Sequence, residues 1–215
     1  MTRVKICGIT RMEDALHATA CGAEMLGFNF YPKSPRYISP QAAREIIVAL
    51  PKSIECVGVF VNEATPDHVR QMADQAGLSA VQLHGDETPE FCSALADLSV
   101  IKALRVSNDF DLRELVRFHD CRILLDAASA GFGGSGSRFD WEIARRVREQ
   151  VTFLLLAGGL DAESVGDAIR TVSPDVVDAC SLLESAPGIK DSTKVARFIA
   201  NAHAQRIRLA TQSRE

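Results

Sequence analysis

One pattern constrains the fold more than any other: a short apolar run, a polar loop and an amphipathic helix follow one another repeatedly along all 215 residues. Strands that are hydrophobic almost throughout and alternate with helices indicate a parallel sheet covered by helices. Eight such units favour a closed (βα)8 barrel of the TIM type, an α/β fold, over an open doubly wound sheet. The predicted strands are residues 4–7, 25–30, 56–61, 79–84, 100–106, 123–126, 152–157 and 175–180.

The helix starts carry recognisable capping signals. Thr10 with Glu13 has the spacing of a capping box, and three later helices begin with a serine or threonine cap followed by proline. Apolar residues at helical spacing predict the buried faces as Met12, Ala15, Leu16 and Ala20; Ala43, Ile46, Ile47 and Leu50; Val69, Met72, Ala73 and Ala76; Phe91, Ala94, Leu95 and Leu98; Leu112, Leu115 and Val116; Trp141, Ala144 and Val147; Val165, Ala168, Ile169 and Val172; Val195, Phe198, Ile199 and Ala202.

No linker or shift in composition marks a second domain. We therefore predict one barrel domain over residues 1–206, followed by a polar tail at 207–215 that frays. The first ten residues contain no long apolar segment, and no run of about 18 apolar residues occurs anywhere. We therefore expect a cytoplasmic protein with neither a signal peptide nor a membrane span.

The charge and the cysteine content argue against several classes of function. A formal net charge of -4 and a pI near 5.8 disfavour a nucleic-acid binder that neutralises many phosphates. Six cysteines without C-x-x-C spacing indicate reduced thiols rather than a disulfide framework or a zinc site. Five histidines also lack ligand spacing, so we expect no metal.

In such a barrel the active site lies at the carboxyl ends of the strands. A single polar residue there is a weak signal, because a lone histidine after a strand is more often structural. Eight loops that all deliver polar groups to one face are a stronger signal. The residues at these positions are Cys7, Asn29, Arg36, Asn62, Gln82, His84, Arg105, Asp126, Gly158, Gly159 and Ser181.

Two glycine-rich loops stand out within this ring. After Asp126 the loop contains Gly131, Gly133, Gly134 and Gly136, which is richer in glycine than a plain connection needs, although an aspartate there could also be a turn residue or a helix cap. Gly158-Gly159 closes the seventh strand, and Ser181 follows the eighth. Loops at these two strands often bind phosphate through backbone amides, whereas the alternative for the glycine pair is a tight turn.

The motifs at the strand ends extend from residue 3 to about residue 200. They are KICGIT (5–10), GF with SPRY (27–37), VGVF (57–60), VQLHG (81–85), LD with GGSG and FDW (125–141), AGGL (157–160) and ESAPGIKD (184–191). Together they resemble the phosphoribosylanthranilate isomerase family. The resemblance implies a barrel enzyme of tryptophan biosynthesis that needs no cofactor and carries out an Amadori rearrangement of N-(5-phosphoribosyl)anthranilate.

The resemblance also implies roles for individual residues. Cys7 corresponds to the family's general base and Asp126 to its general acid, while Arg36 is expected near the anthranilate carboxylate. The remaining expected contacts are Gln82, His84, Gly133, Gly134 and Gly136 for the substrate and Gly158, Gly159 and Ser181 for its phosphate.

These residue types suit the chemistry. Opening the ribose ring needs an acid that carries a proton when it acts, and the resulting iminium makes the C2 proton acidic enough for a thiolate. A free thiol titrates at about 8.5, so a modest lowering of the Cys7 pKa gives a useful thiolate fraction. Lys5 could cause it, although alternation along the strand leaves the direction of its side chain open.

The chain departs from the family after strand eight, where Cys180-Ser181-Leu182-Leu183-Glu184 replaces a usual Ser-Ser-Gly-Val-Glu run. Leu182 puts substrate affinity in doubt, because a side chain there can obstruct the approach of phosphate. The substitution of Ala127 for a common threonine is minor. Two alternatives stay open: a related barrel enzyme acting on another phosphosugar, and a non-catalytic paralogue. The expected ligand is a small phosphosugar-anthranilate molecule, bound by a monomer or a homodimer.

Overall fold

The computed structural model describes residues 1–107, 109–127 and 140–212, with side chains up to residue 205. Within these residues eight parallel strands close into a barrel in sequence order, which confirms the predicted (βα)8 architecture. The ladder closes because β1 pairs with both β2 and β8. The strands are β1 (Arg3–Ile6), β2 (Met25–Asn29), β3 (Glu55–Phe60), β4 (Ala80–Leu83), β5 (Val100–Val106), β6 (Arg122–Ala127), β7 (Leu154–Leu156) and β8 (Val176–Ala179).

The helices pack on the outside of this sheet. Ser39, Thr65 and Thr88 each cap a helix by accepting a bond from a backbone amide three residues ahead, with proline at the first helical position, as predicted. The helices are α1 (Met12–Cys21), α2 (Pro40–Ile47), α3 (Pro66–Ala76), α4 (Pro89–Ser93), α5 (Trp141–Arg148), α6 (Val165–Val172) and α7 (Ser192–Gln212).

The predicted start of α1 is wrong, and its predicted buried face is right for Ala15 and for half-buried Met12 but wrong for Leu16 and Ala20. Its N-cap residue, Arg11, makes no capping bond through its side chain, while the hydroxyl of Thr10 donates to the carbonyl of Gly188 instead. Leu16 is 45% exposed and Ala20 is exposed, whereas Ala15 and Ala18 face the sheet. Alanine is small and common in this helix, so apolar spacing alone does not fix which stripe is buried.

The fifth crossover also differs from the prediction. Leu112–Phe118 forms a 3-10 helix, in which residues three apart lie on the same face. Leu115 and Phe118 are therefore buried together, while Val116, predicted to be buried, is 72% exposed. Helix α4 is likewise short and leaves Ala94 exposed.

Alternation along the strands divides the core into two parts. One set of side chains packs between the sheet and the helices. The other set fills the barrel interior and includes Met25, Val57, Ile101, Leu124 and Leu155. At the carboxyl ends of the strands this interior set continues into polar residues, and this alternation positions the site.

Two features at the end of the chain lie outside the predicted pattern. After β8 a short 3-10 helix (Ser181–Leu183) leads into an antiparallel hairpin of β9 (Glu184–Ala186) and β10 (Ile189–Lys190). Helix α7 continues to Gln212, into the segment predicted as a tail. Within the described part of the chain no helix combines the length and hydropathy needed to cross a bilayer.

Candidate active site

One pocket opens at the carboxyl ends of the strands and encloses about 760 Å³ of open space. It brings together every predicted site residue that the structure describes: Cys7, Arg36, Gln82, His84, Asp126, Gly158, Gly159 and Ser181. The predicted contacts Gly133, Gly134 and Gly136 lie outside the described residues. Asn29 also lines the pocket, whereas Asn62 and Arg105, which sequence placed in the same ring, do not.

Asn62 and Arg105 instead have partners around the next loop. Asn62 adopts a left-handed backbone conformation with φ 52°, and its side-chain oxygen accepts a bond from the amide of Asp86. Arg105 forms an ion pair with the carboxylate of Asp86. A position after a strand does not decide whether a side chain turns into the pocket.

Beneath the pocket lies a buried ion pair between neighbouring strands. Lys5 of β1 points into the barrel, where its Nζ donates to Asp178 Oδ2 at 2.8 Å. Burial lowers the pKa of Lys5, but the negative charges of Asp178 and Cys7 outweigh this effect and raise it above its ordinary value. Burial raises the pKa of Asp178 to about 7. Lys5 is therefore a fixed cation beside Cys7.

Cys7 and Cys180 meet where β1 closes against β8. The pKa of Cys7 lies well below its ordinary value because the Cys180 thiol donates a hydrogen bond to its sulfur, which outweighs the opposing effect of burial. The cations of Lys5 and Lys190 lower it further. The same bond to Cys7 raises the pKa of Cys180. Cys7 is therefore the more acidic thiol of the pair.

The hairpin β9–β10 holds one side of the rim in place. Glu184 accepts two bonds from Arg36, from Nε and Nη2, both at 2.8 Å. Lys190 Nζ donates to the same carboxylate at 2.9 Å. This bidentate pair fixes the plane of the Arg36 guanidinium, and the Glu184 hydrogen bonds raise the pKa of Arg36. Arg36 is thus a positioned cation at the pocket wall.

Asp126 faces the pocket from β6, across from Cys7. Its Oδ1 accepts a bond from the amide of Ala127 at 2.9 Å, and its Oδ2 lies 3.3 Å from Nε2 of His84. The side chain of Gln82 contacts Nδ1 of His84 at 2.7 Å. Among the described residues, Gln82 Oε1 is buried without a hydrogen-bond partner, and His84 Nε2 is buried with only the longer contact to Asp126. Polar atoms of this kind are available to a ligand.

The glycine pair after β7 and the residues after β8 form a further part of the rim. Gly158 and Gly159 have φ 87° and φ 62°, which the side chains of other residues rarely allow. A Cβ at Gly158 would lie 2.8 Å from the amide nitrogen of Ala127. Leu182, 37% exposed, borders the pocket in the 3-10 helix that begins at Ser181. The two loops thus present backbone to the pocket, but with a leucine at its edge.

Sequence reasoning missed three charged residues of this site and left a fourth open. Asp178, Glu184 and Lys190 received no role, and the direction of Lys5 was left open. One local signal was available, since Asp178 interrupts an otherwise apolar strand. Within the described residues no group of three or more histidine, cysteine, aspartate or glutamate side chains could hold a metal ion.

Comparisons with known proteins agree with this geometry. A family model described as N-(5'phosphoribosyl)anthranilate (PRA) isomerase matches residues 4–201. The N-(5'-phosphoribosyl)anthranilate isomerase of Thermotoga maritima is 47% identical over 203 residues, which cover 94% of this chain and 98% of that protein. The protein of the same name from Trichlorobacter lovleyi is 49% identical over 203 residues, with the same coverage.

Solved structures give the same result. The crystal structure of the Thermotoga maritima enzyme matches with a TM-score of 0.90 and 47% identity, covering 95% of this chain and all of that one. A phosphoribosyl anthranilate isomerase in complex with reduced 1-(o-carboxyphenylamino)-1-deoxyribulose 5-phosphate matches with a TM-score of 0.87 and 45% identity, over 95% of this chain and 100% of the other. Sequence, fold and pocket agree, and the chain belongs to the N-(5'-phosphoribosyl)anthranilate isomerase family.

Proposed function

We propose that this chain converts N-(5-phosphoribosyl)anthranilate to 1-(o-carboxyphenylamino)-1-deoxyribulose 5-phosphate in tryptophan biosynthesis, with Cys7 as general base and Asp126 as general acid. One observation carries the proposal. A cysteine with a strongly lowered pKa and an aspartate face one pocket from β1 and β6, strands that are not neighbours. An acid and a base can therefore approach a bound sugar from different sides.

In the first half of the reaction Asp126 gives its proton to the ring oxygen of the ribose. The bond between C1 and the ring oxygen breaks, and the nitrogen lone pair forms an iminium with C1. Asp126 suits this step because its Oδ1 is held by the amide of Ala127, which fixes the carboxyl group. His84, 3.3 Å from Oδ2, is the neighbour through which the proton on Asp126 can be replaced.

In the second half Cys7 removes the C2 proton, and the electron pair moves to neutralise the iminium. The enolamine that forms gives the ketose product when it tautomerises. Lys5 supports this step, because its buried ammonium stabilises the thiolate without facing the substrate. A thiolate with a lowered pKa remains available as the base at neutral pH.

The substrate carries two anionic groups, and the pocket offers a different environment to each. Arg36 is the proposed partner of the anthranilate carboxylate, with its guanidinium plane set by Glu184. The amides around Gly158, Gly159 and Ser181 are proposed to bind the phosphate. Gln82 and His84 contribute polar atoms at the centre. Gly133, Gly134 and Gly136 are proposed as further contacts from the loop after β6.

The proposed enzyme uses no cofactor and comprises residues 1–206 as its catalytic domain. It acts in the cytoplasm as a monomer or a homodimer. The Thermotoga maritima relative is described as a dimeric enzyme from which monomers were generated.

The test follows the fluorescence decay of N-(5-phosphoribosyl)anthranilate without added metal or nucleotide. We expect turnover by the wild type, and a loss of about 10²–10⁴-fold in both Cys7→Ala and Asp126→Asn, because each removes one proton-transfer group. Cys121→Ser is the matched control, since this half-buried cysteine lies outside the pocket, and it should retain turnover.

Absence of turnover in folded wild type would overturn the proposal and favour the non-catalytic barrel. Leu182→Gly then becomes the next variant, since Leu182 is the one departure at the pocket rim that bears on phosphate binding. Full activity of Cys7→Ala would instead leave the proposed reaction standing but show that Cys7 is not its general base.

A further inference from the structure

Two cysteines stand side by side at the mouth of the barrel, and one of them is the proposed base. In the β1–β8 ladder the amide of Arg3 bonds to the carbonyl of Asp175, the residue before its partner Val176. The amide of Cys7 bonds in the same way to the carbonyl of Ala179, at 2.9 Å. Cys180 is therefore the residue directly opposite Cys7 on the neighbouring strand.

Residues directly opposite each other on neighbouring strands have the Cα–Cα distance that a disulfide needs. Neighbouring strands lie about 4.8 Å apart, and the Cα atoms of a disulfide lie about 4.4–6.8 Å apart. Both side chains face the same pocket and both are half-buried, so a small reagent can reach them through the mouth. The two sulfurs are near enough to shift each other's pKa in opposite directions.

We propose that Cys7 and Cys180 form a reversible intramolecular disulfide, a modification site that blocks the mouth of the barrel. The oxidant is a low-molecular-weight disulfide, and the reductant is a dithiol. The family's usual serine at position 180 has no such chemistry, so the modification is a property of the cysteine in this chain.

The reaction balances as two thiol–disulfide exchanges. The Cys7 thiolate attacks one sulfur of the small disulfide, which forms a mixed disulfide and releases one small thiolate. Cys180 gives up its proton, and its sulfur then attacks the Cys7 sulfur and expels the second small thiolate. Two cysteines are oxidised by two electrons, and one small disulfide is reduced to two thiols.

The surroundings suit both halves of this exchange. A thiolate stabilised by cations is the attacking group, as at Cys7, and a neighbouring thiol is the resolving group. Lys190 Nζ lies 3.7 Å from the Cys180 sulfur, so a cation faces the second thiol as it loses its proton. Glu184 Oε1 lies 3.9 Å from the same sulfur, as an alternative acceptor for its single proton.

A second pair of cysteines provides an internal comparison. Cys92 and Cys121 show the same pattern, with the pKa of Cys121 lowered and that of Cys92 raised by their mutual hydrogen bond, but Cys92 is buried. This pair lies away from the mouth pocket. If proximity alone were sufficient, both pairs would oxidise, whereas the proposal assigns the reaction to the pair in which both cysteines are half-buried at the mouth pocket.

The disulfide itself does not depend on the proposed function, but its effect on turnover rests on the proposed role of Cys7 as base. A sulfur bonded to Cys180 has no lone pair basic enough to remove a proton from carbon. We therefore expect the fraction of turnover lost to equal the fraction of chain carrying the disulfide.

The experiment treats the full chain with oxidised glutathione, blocks free thiols by alkylation and maps the peptides by mass. We expect the peptide with Cys7 joined to the peptide with Cys180, and we expect dithiothreitol to abolish the link and restore turnover. Cys180→Ser should stop at a glutathione adduct on Cys7, while Cys121→Ser should still form the link. Each variant is compared with its own reduced form, and circular dichroism verifies folding.

A wild type that accumulates only the Cys7 adduct, or links only Cys92 to Cys121, would overturn the inference. If the reduced wild type shows no turnover, the proposed function fails, but the peptide map still decides the disulfide. If turnover is present and the link does not form, only this inference fails.

Discussion

Two lysines of the barrel strands, Lys5 and Lys102, form buried pairs with carboxylates, and the two pairs differ in how completely they are satisfied. Lys102 of β5 donates to Glu87 at 2.7 Å and to the carbonyl of Gly85 at 2.7 Å, and Glu87 also accepts bonds from the amides of Asn62 and Gly85. Lys5 donates to Asp178, whose second oxygen is buried without a partner among the described residues.

The difference separates a structural pair from a pair that supports chemistry. A buried ion pair is stable when hydrogen bonds satisfy its remaining lone pairs and protons, as around Glu87. The Lys5–Asp178 pair instead acts together with Cys7, because the Lys5 ammonium lowers the pKa of Cys7 and the negative charge of Cys7 raises the pKa of Asp178. The number of satisfied bonds, rather than burial alone, indicates which pair serves the site.

The largest effect on stability should come from Lys102→Met. It leaves Glu87 buried without its cation, and we expect the free energy of unfolding to fall by about 3–5 kcal/mol. Urea denaturation gives this value, with Lys52→Met, at an exposed position, as the control. If Lys102→Met lowered the free energy of unfolding no more than the control does, the charge of Lys102 would not stabilise buried Glu87.

Lys5→Met should cost less stability, about 1–3 kcal/mol, because Asp178 can take up a proton when its cation is lost. It should instead change Cys7. The pH midpoint for alkylation of Cys7 by iodoacetamide should rise, since the nearest cation that stabilises the thiolate is gone. Lys102→Met should leave that midpoint in place, and a shift there would contradict the comparison.

Asp178→Asn should change how stability depends on pH. Burial raises the pKa of Asp178 in the folded chain to about 7, above its ordinary 3.8, so the folded state binds more protons between these values. Its contribution to stability is therefore full below about pH 4 and is lost as the pH rises to about 7. The unfolding free energy of wild type minus that of Asp178→Asn should decrease between about pH 5 and about pH 7. A flat difference would contradict this assignment.

The smallest effect concerns the bond between the Asn62 side chain and the loop before Glu87. Asn62→Gly keeps the left-handed backbone of φ 52° but removes the acceptor for the Asp86 amide, and we expect a loss of about 1 kcal/mol. Asn62→Ala should lose about 1–2 kcal/mol more, because its Cβ opposes that backbone conformation. Equal losses in the two variants, measured by urea denaturation, would show that strain plays no part.

Local sequence patterns predicted the fold well because each unit carries its own signal. Apolar runs located all eight strands, and serine or threonine followed by proline located three helix starts. The failures occurred where the local signal is ambiguous. In α1 many alanines obscure the buried stripe, and in the fifth crossover a 3-10 helix replaces the expected period.

The site was predictable to the extent that strand ends determine it. Cys7, Arg36 and Asp126 line the pocket as expected from their positions. The pairing of Lys5 with Asp178 was not predictable in this way, because it depends on the register between strands 173 residues apart. The contacts of Glu184 and Lys190 likewise depend on a hairpin that no local pattern predicted.

The pairing of β1 with β8 also has a consequence for how the chain reaches its native state. Contacts between distant residues form late in folding, and on the ribosome the first strand emerges long before the last one exists. Until β8 docks, β1 presents an unpaired edge that can attach to other chains. Lys5 and Cys7 come from one side of this junction, and Asp178 and Cys180 from the other. Recovery of activity after refolding should therefore report the docking of β8 against β1, which removes the last unpaired strand edge.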